Sequence, residues 1–500
     1  MKGKLLGLAL AIAGGLFSCA GLLRAQSSCP PCPNTGILCS FFTLDINQNN
    51  NVQSPPPPAN DPWPTNQDVC FGTWRTLDAN GIGPDSQLQR LGLKWSDINW
   101  AYGQYDFSSL DQWVNQLTGQ QVIFTAFWTP NWASAYPQDP CGPGGNPRRP
   151  PGGCDLPDPA QYPNAWHDFI QALVTHVTGY HPNPVQYIEI WNEPNDDNKC
   201  NRNNNCNPSA LVGLTQTAQS IAGPAGISII SPPVTGSGVE AGSGTDGKSY
   251  LEDLLENGVG NYANVIAFHA YVDEPVAGNL TEEIGDVTDL LNSYNFTHGF
   301  YITEGSWLNN HDEIGDYTDS TDMSEQAAWL ATSYLTSAYY ITPNANGNYL
   351  LGYSFYGWDY GPDERNNEHV TALWCTTWCD TPPGPPQLTK AGVGYQNLYN
   401  WLIGATPTGQ CTNSGDGNGD LVWTCGFNSP ALGQTQAVWL SCGSWDNYQY
   451  DCGYNWTVSP PNTFYSYLTL TGQTCGIFGS TIDITAWPIL LTTATSNNRC

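Results

Sequence analysis

Val185-Gln186-Tyr187-Ile188-Glu189-Ile190-Trp191 is an apolar run that opens directly into Asn192-Glu193-Pro194-Asn195. Its length and its Val and Ile content are those of a strand, while the proline and asparagines that follow favour a turn. The run therefore reads as a strand with a carboxylate at its C-terminal end. The same arrangement recurs where Phe300-Tyr301-Ile302-Thr303 runs into Glu304-Gly305-Ser306-Trp307. Further short apolar runs lie at residues 69–75, 95–99, 121–127, 227–231, 265–269 and 350–356. Amphipathic stretches of helical length, at 110–117, 166–178, 211–221, 285–294 and 324–339, lie between them. Alternation of this kind predicts an α/β fold with a parallel sheet, and eight units predict a (β/α)8 TIM barrel over residues 69–405. Glu193 then closes the fourth strand and Glu304 the seventh.

The flanking chain has other signatures. Lys2 and Lys4 precede an apolar stretch, 5–23, and Ala25 sits at a cleavage-compatible position, so residues 1–25 read as an export signal. An uncleaved anchor, or a lipid attached at Cys19, is the alternative that would leave the protein on a membrane. Residues 26–68 are rich in Cys, Asn and Pro and include four consecutive prolines, 55–58, which suit a semi-rigid spacer or an extended cover strand. Residues 406–500 lose the helical pattern and alternate in short segments at 437–441, 464–470 and 481–485, which predicts a C-terminal all-β sandwich.

Composition narrows the classes of function. Fourteen Lys+Arg against 44 Asp+Glu give a net charge of −30, which repels nucleic acid and anionic lipid surfaces. With 40% hydrophobic and 12% aromatic residues, the chain is not of disordered type. Seventeen cysteines point to an oxidising compartment, secreted or periplasmic or at the cell surface. Once Cys19 leaves with the signal, the cysteines are even in number and read as loop-stapling disulfides of open connectivity. Cys29 and Cys32 lack the second ligand pair that a zinc ribbon needs. The acidic run at 416–420 departs from a calcium loop at Leu421 and Phe427 and reads as a turn.

A single glutamate at a strand end is ordinarily a solvated or capping residue. Two at the ends of different strands form the pair that cleaves glycosidic bonds, one protonating the leaving oxygen and the other attacking or activating water. At this point the sequence resembles a known family. Trp191-Asn192-Glu193-Pro194-Asn195 is similar to the acid/base motif of the clan A glycoside hydrolases, and Thr303-Glu304-Gly305-Ser306-Trp307 to their nucleophile strand. The resemblance is strongest to glycoside hydrolase family 39. It extends to Phe71-Gly72-Thr73-Trp74-Arg75, Tyr105-Asp106-Phe107, Thr129-Pro130-Asn131-Trp132 and Phe268-His269-Ala270-Tyr271.

The resemblance implies a retaining mechanism with Glu193 as general acid/base and Glu304 as nucleophile. Their surroundings should push the two pKa values apart. Asn192 is then expected to meet the sugar hydroxyl beside the anomeric carbon, and Tyr271 to donate to Glu304. His269 is expected to support Glu193 or touch the sugar, and Arg75 to lower the pKa of the nucleophile. His269 as a hydrogen-bonded core residue and Arg75 as a partner of some buried carboxylate are equally natural. Glu189, four residues before Glu193, reads as a structural network member. Of the 20 tryptophans, Trp128, Trp132, Trp307 and Trp358 stand at strand ends as candidate sugar platforms, Trp358 foremost, and the remainder carry no functional assignment. The expected activity is an exported β-glycosidase, xylosidase-like first and an endo-acting glucanase, xylanase or mannanase second. It needs no metal or organic cofactor, because carboxylates and water suffice. A carbohydrate-binding protein on an inactive barrel is the rival reading. The negative field favours neutral glycans over acidic ones.

Overall fold

A computed structural model describes residues 42–45, 88–115, 117, 120–138, 153–196, 199–200, 206–236, 246–272, 277–307, 322–357, 373–375, 387–388, 390–415, 420–441 and 455–500. The proposed signal, the proline run, the expected strand at 69–75 and the turn at 416–419 lie outside the described residues.

Nine parallel strands form one sheet. In chain order they are β1 (Phe42–Asp45), β2 (Leu88–Leu91), β3 (Gln121–Ala126), β4 (Val185–Ile190), β5 (Ser228–Ile230), β6 (Val234–Thr235), β7 (Ile266–Val272), β8 (Gly299–Trp307) and β9 (Tyr349–Tyr356). Their spatial order is β5-β4-β3-β2-β1-β9-β8-β7-β6. Pro232 and Pro233, which cannot donate to a ladder, separate β5 from β6. Ile230, the last residue of β5, bridges Val265 in parallel just before β7.

Helices alternate with these strands: α1 (Trp95–Ile98), α2 (Ser108–Val114), α3 (Ala165–Val177), α4 (Pro208–Ala222), α5 (Gly247–Glu256), α6 (Ala277–Ser293), α7 (Asp322–Ser337) and α8 (Lys390–Leu402). Their apolar stripes cover one face of the sheet. In α3, for example, Trp166, Phe169, Ile170, Leu173, Val174 and Val177 are buried, the spacing of a helix with one core-facing side.

Two expectations are corrected. The run at 95–99 is the short helix α1, because Trp95 and Ile98, three apart, are buried together, and Trp95 stacks on Phe169 at 5.1 Å between centroids. The strand in this region is β2, whose Gln89 and Arg90 are fully buried polar residues that break the apolar pattern of a sheet strand. The sheet also begins earlier than residue 69: β1 lies inside the Cys- and Pro-rich segment 26–68, ahead of the proline run, and pairs with β2 and β9.

The other face of the sheet is layered by the two-residue repeat of strands. Leu88, Ile123, Ile230, Val265, Ala267 and Tyr301 form one apolar cluster. Two residues further along their strands come Arg90, Thr125, His269 and Thr303, all buried and all polar. Leucine and isoleucine at one level thus give way to hydrogen-bonding groups at the next, towards the C-terminal ends of the strands.

Beyond α8 the chain is antiparallel. Leu421–Ser429 pairs with Gly433–Ser441, which pairs with Ile489–Thr492, then Ser466–Thr469 and Thr474–Gly476. Side chains alternate across this sheet. Trp423 and Trp439, stacked at 5.9 Å, join the large core, and Val422, Val438, Leu440 and Leu491 form a second cluster with Ile484. Disulfides Cys411–Cys425 and Cys475–Cys500 staple this part, and Cys200–Cys206 staples the loop after β4. No described helix is long and apolar enough to cross a membrane.

Candidate active site

The C-terminal ends of β4, β7 and β8 meet at two carboxylates. Glu193 and Glu304 are 6% and 5% exposed. One oxygen of each, with a ring nitrogen of His269, lies within 4.8 Å of the others. The bulge at Phe268/His269 sets His269 opposite Glu304 in the register of β7 and β8.

The turn after β4 is built from its own motif. Trp191 and Glu193 have φ of 65° and 47°, and Trp128, at the end of β3, has φ of 61°. Such left-handed backbone costs about 1–3 kcal/mol per residue and persists only where neighbours enforce it. The neighbours are visible. The Trp191 N–H donates to Ala126 O at 2.8 Å, the Glu193 N–H donates to Pro233 O at 3.1 Å, and the Trp191 indole donates to Lys199 O at 3.1 Å. Asn195, fully buried, clasps Thr235 from both sides: its Nδ2 donates to Thr235 O at 2.7 Å, and its Oδ1 accepts from Thr235 N at 2.9 Å. Trp191 and Asn195 thus hold the backbone that presents Glu193.

Glu304 is held from three directions. Tyr271 Oη donates to Oε2 at 2.7 Å, Arg90 Nη1 donates to Oε1, and His269 Nδ1 lies 3.5 Å from Oε2. Burial pushes its carboxyl up, but His269 and the Arg90 guanidinium hold it below the ordinary carboxylate range. Gly305 leaves no room for a side chain, since a Cβ there would lie 2.5 Å from Tyr353 Oη and 2.9 Å from Ala270 O.

Arg90 ties the site together. Fully buried, it donates from Nε to Glu189 Oε2 at 2.6 Å and from Nη2 to Asn192 Oδ1 at 2.9 Å, besides its contact with Glu304. Thr125 Oγ1 donates to the same Glu189 oxygen at 2.8 Å, so Glu189 is a supporting carboxylate beneath the pair. Arg90 thus supplies a guanidinium to Glu304; Arg75, expected in that role, lies outside the described residues.

Glu193 differs from expectation. His269 Nδ1 lies 2.9 Å from its Oε1, and Lys199 Nζ donates to its Oε2. Burial again raises the pKa, but the Lys199 charge and His269 outweigh it, and the carboxyl falls well below its ordinary range. Both glutamates are therefore held ionised in the resting site, where the sequence reading expected the two to diverge. Lys199 was missed because nothing in its local sequence marks it; backbone hydrogen bonds to Asp196 and from the Trp191 indole bring it beside the strand end.

Asn192 is 5% exposed, with its Oδ1 engaged by Arg90 and its Nδ2 aimed at Glu193. Trp132 lies on a short turn of helix after β3, half-buried, its indole donating to Asn99 O at 2.8 Å and its ring edge-on to Tyr102 and Tyr162. Trp307 ends β8, and Trp358 lies outside the described residues. The trio Glu193, His269 and Glu304 has the donor set of a cation site. However, Lys199 and Arg90 already neutralise its two carboxylates, a poor setting for a further positive charge.

Comparisons with known proteins agree with this geometry. Residues 158–350 match the family model described as the glycosyl hydrolase catalytic core. The fold is similar to a family 39 glycoside hydrolase from Bacteroides cellulosilyticus, with TM-score 0.58 and 16% identity over 92% of this chain and 82% of that one. It is also similar to a conserved exported protein from Bacteroides fragilis, with TM-score 0.54 and 12% identity over 90% and 96% of the two chains. A monomeric β-xylosidase from Caulobacter crescentus gives TM-score 0.50 and 13% identity over 91% and 96%. No curated protein sequence matches the chain.

Proposed function

We propose that the protein is an exported retaining β-glycosidase of the clan A, family 39 type, acting by double displacement on a neutral oligosaccharide or polysaccharide. The observation that carries this reading is the facing pair of buried glutamates with oxygens within 4.8 Å. Retaining enzymes place the two carboxyls about 5–5.5 Å apart, and inverting ones leave about 6.5–9.5 Å for a water. In this reading Glu304, ionised and held by Tyr271 and Arg90, attacks the anomeric carbon. Glu193 protonates the departing oxygen, then removes a proton from the water that releases the sugar. Asn192 meets the hydroxyl beside the anomeric carbon, with Trp132, Trp307 and Trp358 as platforms.

The parallel order of the strands and the bridge from Ile230 to Val265 support a closed (β/α)8 barrel. The disulfides support export, and the likeness to a β-xylosidase supports exo action on xylosides ahead of an endo-acting activity. The test is proton NMR of the first sugar released from a panel of aryl β-glycosides. Initial release of the β-anomer is expected. Initial α-anomer, or no turnover on any member, contradicts the reading.

A further inference from the structure

Lys199 reaches the Glu193 carboxylate from outside the strands. It lies on the loop after the 191–195 turn, and the loop fixes its backbone at several points. The Lys199 N–H donates to Asp196 O at 2.8 Å, the Cys200 N–H donates to the same oxygen at 2.9 Å, and the Trp191 indole donates to Lys199 O. The next residue is locked in the Cys200–Cys206 disulfide, both of whose cysteines are fully buried. A lysine on an untethered loop loses much of its ion-pair energy to side-chain ordering. Here only the side chain remains to be ordered.

The two ends of the pair differ in access. The Lys199 side chain is 26% exposed and that of Glu193 is 8% exposed, so the ammonium stands on the open side of the carboxylate. His269 takes Oε1 from within, and Lys199 takes Oε2 from without.

We propose that Lys199 is a positioning residue for Glu193, presented by the backbone anchored at Trp191, Asp196 and Cys200, and that it competes with the proton and the leaving-group oxygen for Oε2. The proposal rests on the reading of Glu193 as general acid. Protonation of Oε2 removes the negative charge that holds the ammonium there and puts an O–H donor where the ammonium donates. The productive form of the enzyme is therefore the one in which protonation has freed Lys199 to swing towards solvent. The other groups facing Glu193 are His269 from β7, Glu304 from β8 and Asn192 from its own strand end. Arg90 of β2 reaches it only through Asn192 and Glu304. Of these, Lys199 is the strongest of the influences that keep the carboxyl ionised. Its removal should extend activity to higher pH, because the general acid then keeps its proton longer.

The experiment uses the full, oxidised chain as wild type, Lys199→Met and Lys199→Arg. kcat/KM is followed against pH on a phenyl β-glycoside, which needs protonation to leave, and on its dinitrophenyl analogue, which does not. Lys199→Met should move the alkaline limb for the phenyl substrate upward by about one pH unit or more, leave the dinitrophenyl limb in place, and Lys199→Arg should retain the wild-type limb. Coincident phenyl profiles for wild type and Lys199→Met overturn the proposal. If the wild type hydrolyses no glycoside, it is the proposed function that fails. Carboxyl NMR then follows the titration of Glu193 without turnover, and an unchanged titration in Lys199→Met overturns the role of the lysine on its own.

Discussion

Arg90 shows how one residue determines the behaviour of the site. It is a buried cation shared by Glu189 and Glu304 and hydrogen-bonded to Asn192. Removing one partner of a buried ion pair leaves an uncompensated charge and costs about 3–5 kcal/mol. Arg90→Met should therefore lower the melting temperature clearly in calorimetry. It should also raise the Glu304 pKa, moving the acidic limb of kcat/KM to higher pH, since the nucleophile must be ionised. An unchanged acidic limb would contradict this role. The pair Glu193 and Glu304 was legible in the sequence, because each ends an apolar run in a turn. Arg90 was not. It sits in Leu88-Gln89-Arg90-Leu91, where the inward-facing polar residue interrupts the pattern that identifies strands, whereas Arg75 follows an apolar run. Its burial is paid for by partners distant in sequence, 99 residues away for Glu189 and 214 for Glu304.

At the scale of elements, the long strands β4, β8 and β9 were legible and the four-residue strands β1 and β2 were not. A short strand has too few positions to establish a two-residue period, and β1 lies in an Asn- and Pro-rich region. The helices α5 and α8 also went unread. The strand ends depend on close backbone approach, most clearly at Gly305, directly after the proposed nucleophile. Gly305→Ala would force a Cβ into Tyr353 Oη and Ala270 O. The strands must then part or the end of β8 must rotate, at a cost of about 1–3 kcal/mol, and Glu304 shifts with it. Activity should fall more than stability accounts for, read as kcat/KM at a temperature where the variant remains folded. Full activity in a folded Gly305→Ala would show that the position of Glu304 tolerates the movement.

For the whole molecule, the −30 charge and the buried carboxylates make stability depend on pH in opposing ways. Glu193 and Glu304 have folded pKa values below the ordinary 4.5, so their contribution is present above that pH and is lost as pH falls through the folded values. Asp97 acts in the other direction. Burial pushes it from 3.8 up to about 6, despite Lys94 and Ser96, so its contribution is present below 3.8 and lost as pH rises through 6. Asp97→Asn should therefore raise the stability at pH 7 by about 1–2 kcal/mol and leave it nearly unchanged at pH 3.5, read as the difference in melting temperature from wild type at each pH. A gain of equal size at both values would show that Asp97 does not titrate in this window. Relief of self-repulsion as the carboxylates protonate acts in the same direction as Asp97, favouring the folded chain at lower pH.

The central claim is that Glu304 is the nucleophile of a retaining glycosidase, and the most direct measurement is turnover of an aryl β-glycoside by Glu304→Ala with and without azide. Hydrolysis should fall by about 10⁴-fold or more, and azide should restore release of the aryl group, with the sugar captured as the α-glycosyl azide, inverted because the small anion attacks from the face that Glu304 vacates. Wild-type-like hydrolysis by Glu304→Ala, or an azide product of retained configuration, would contradict it.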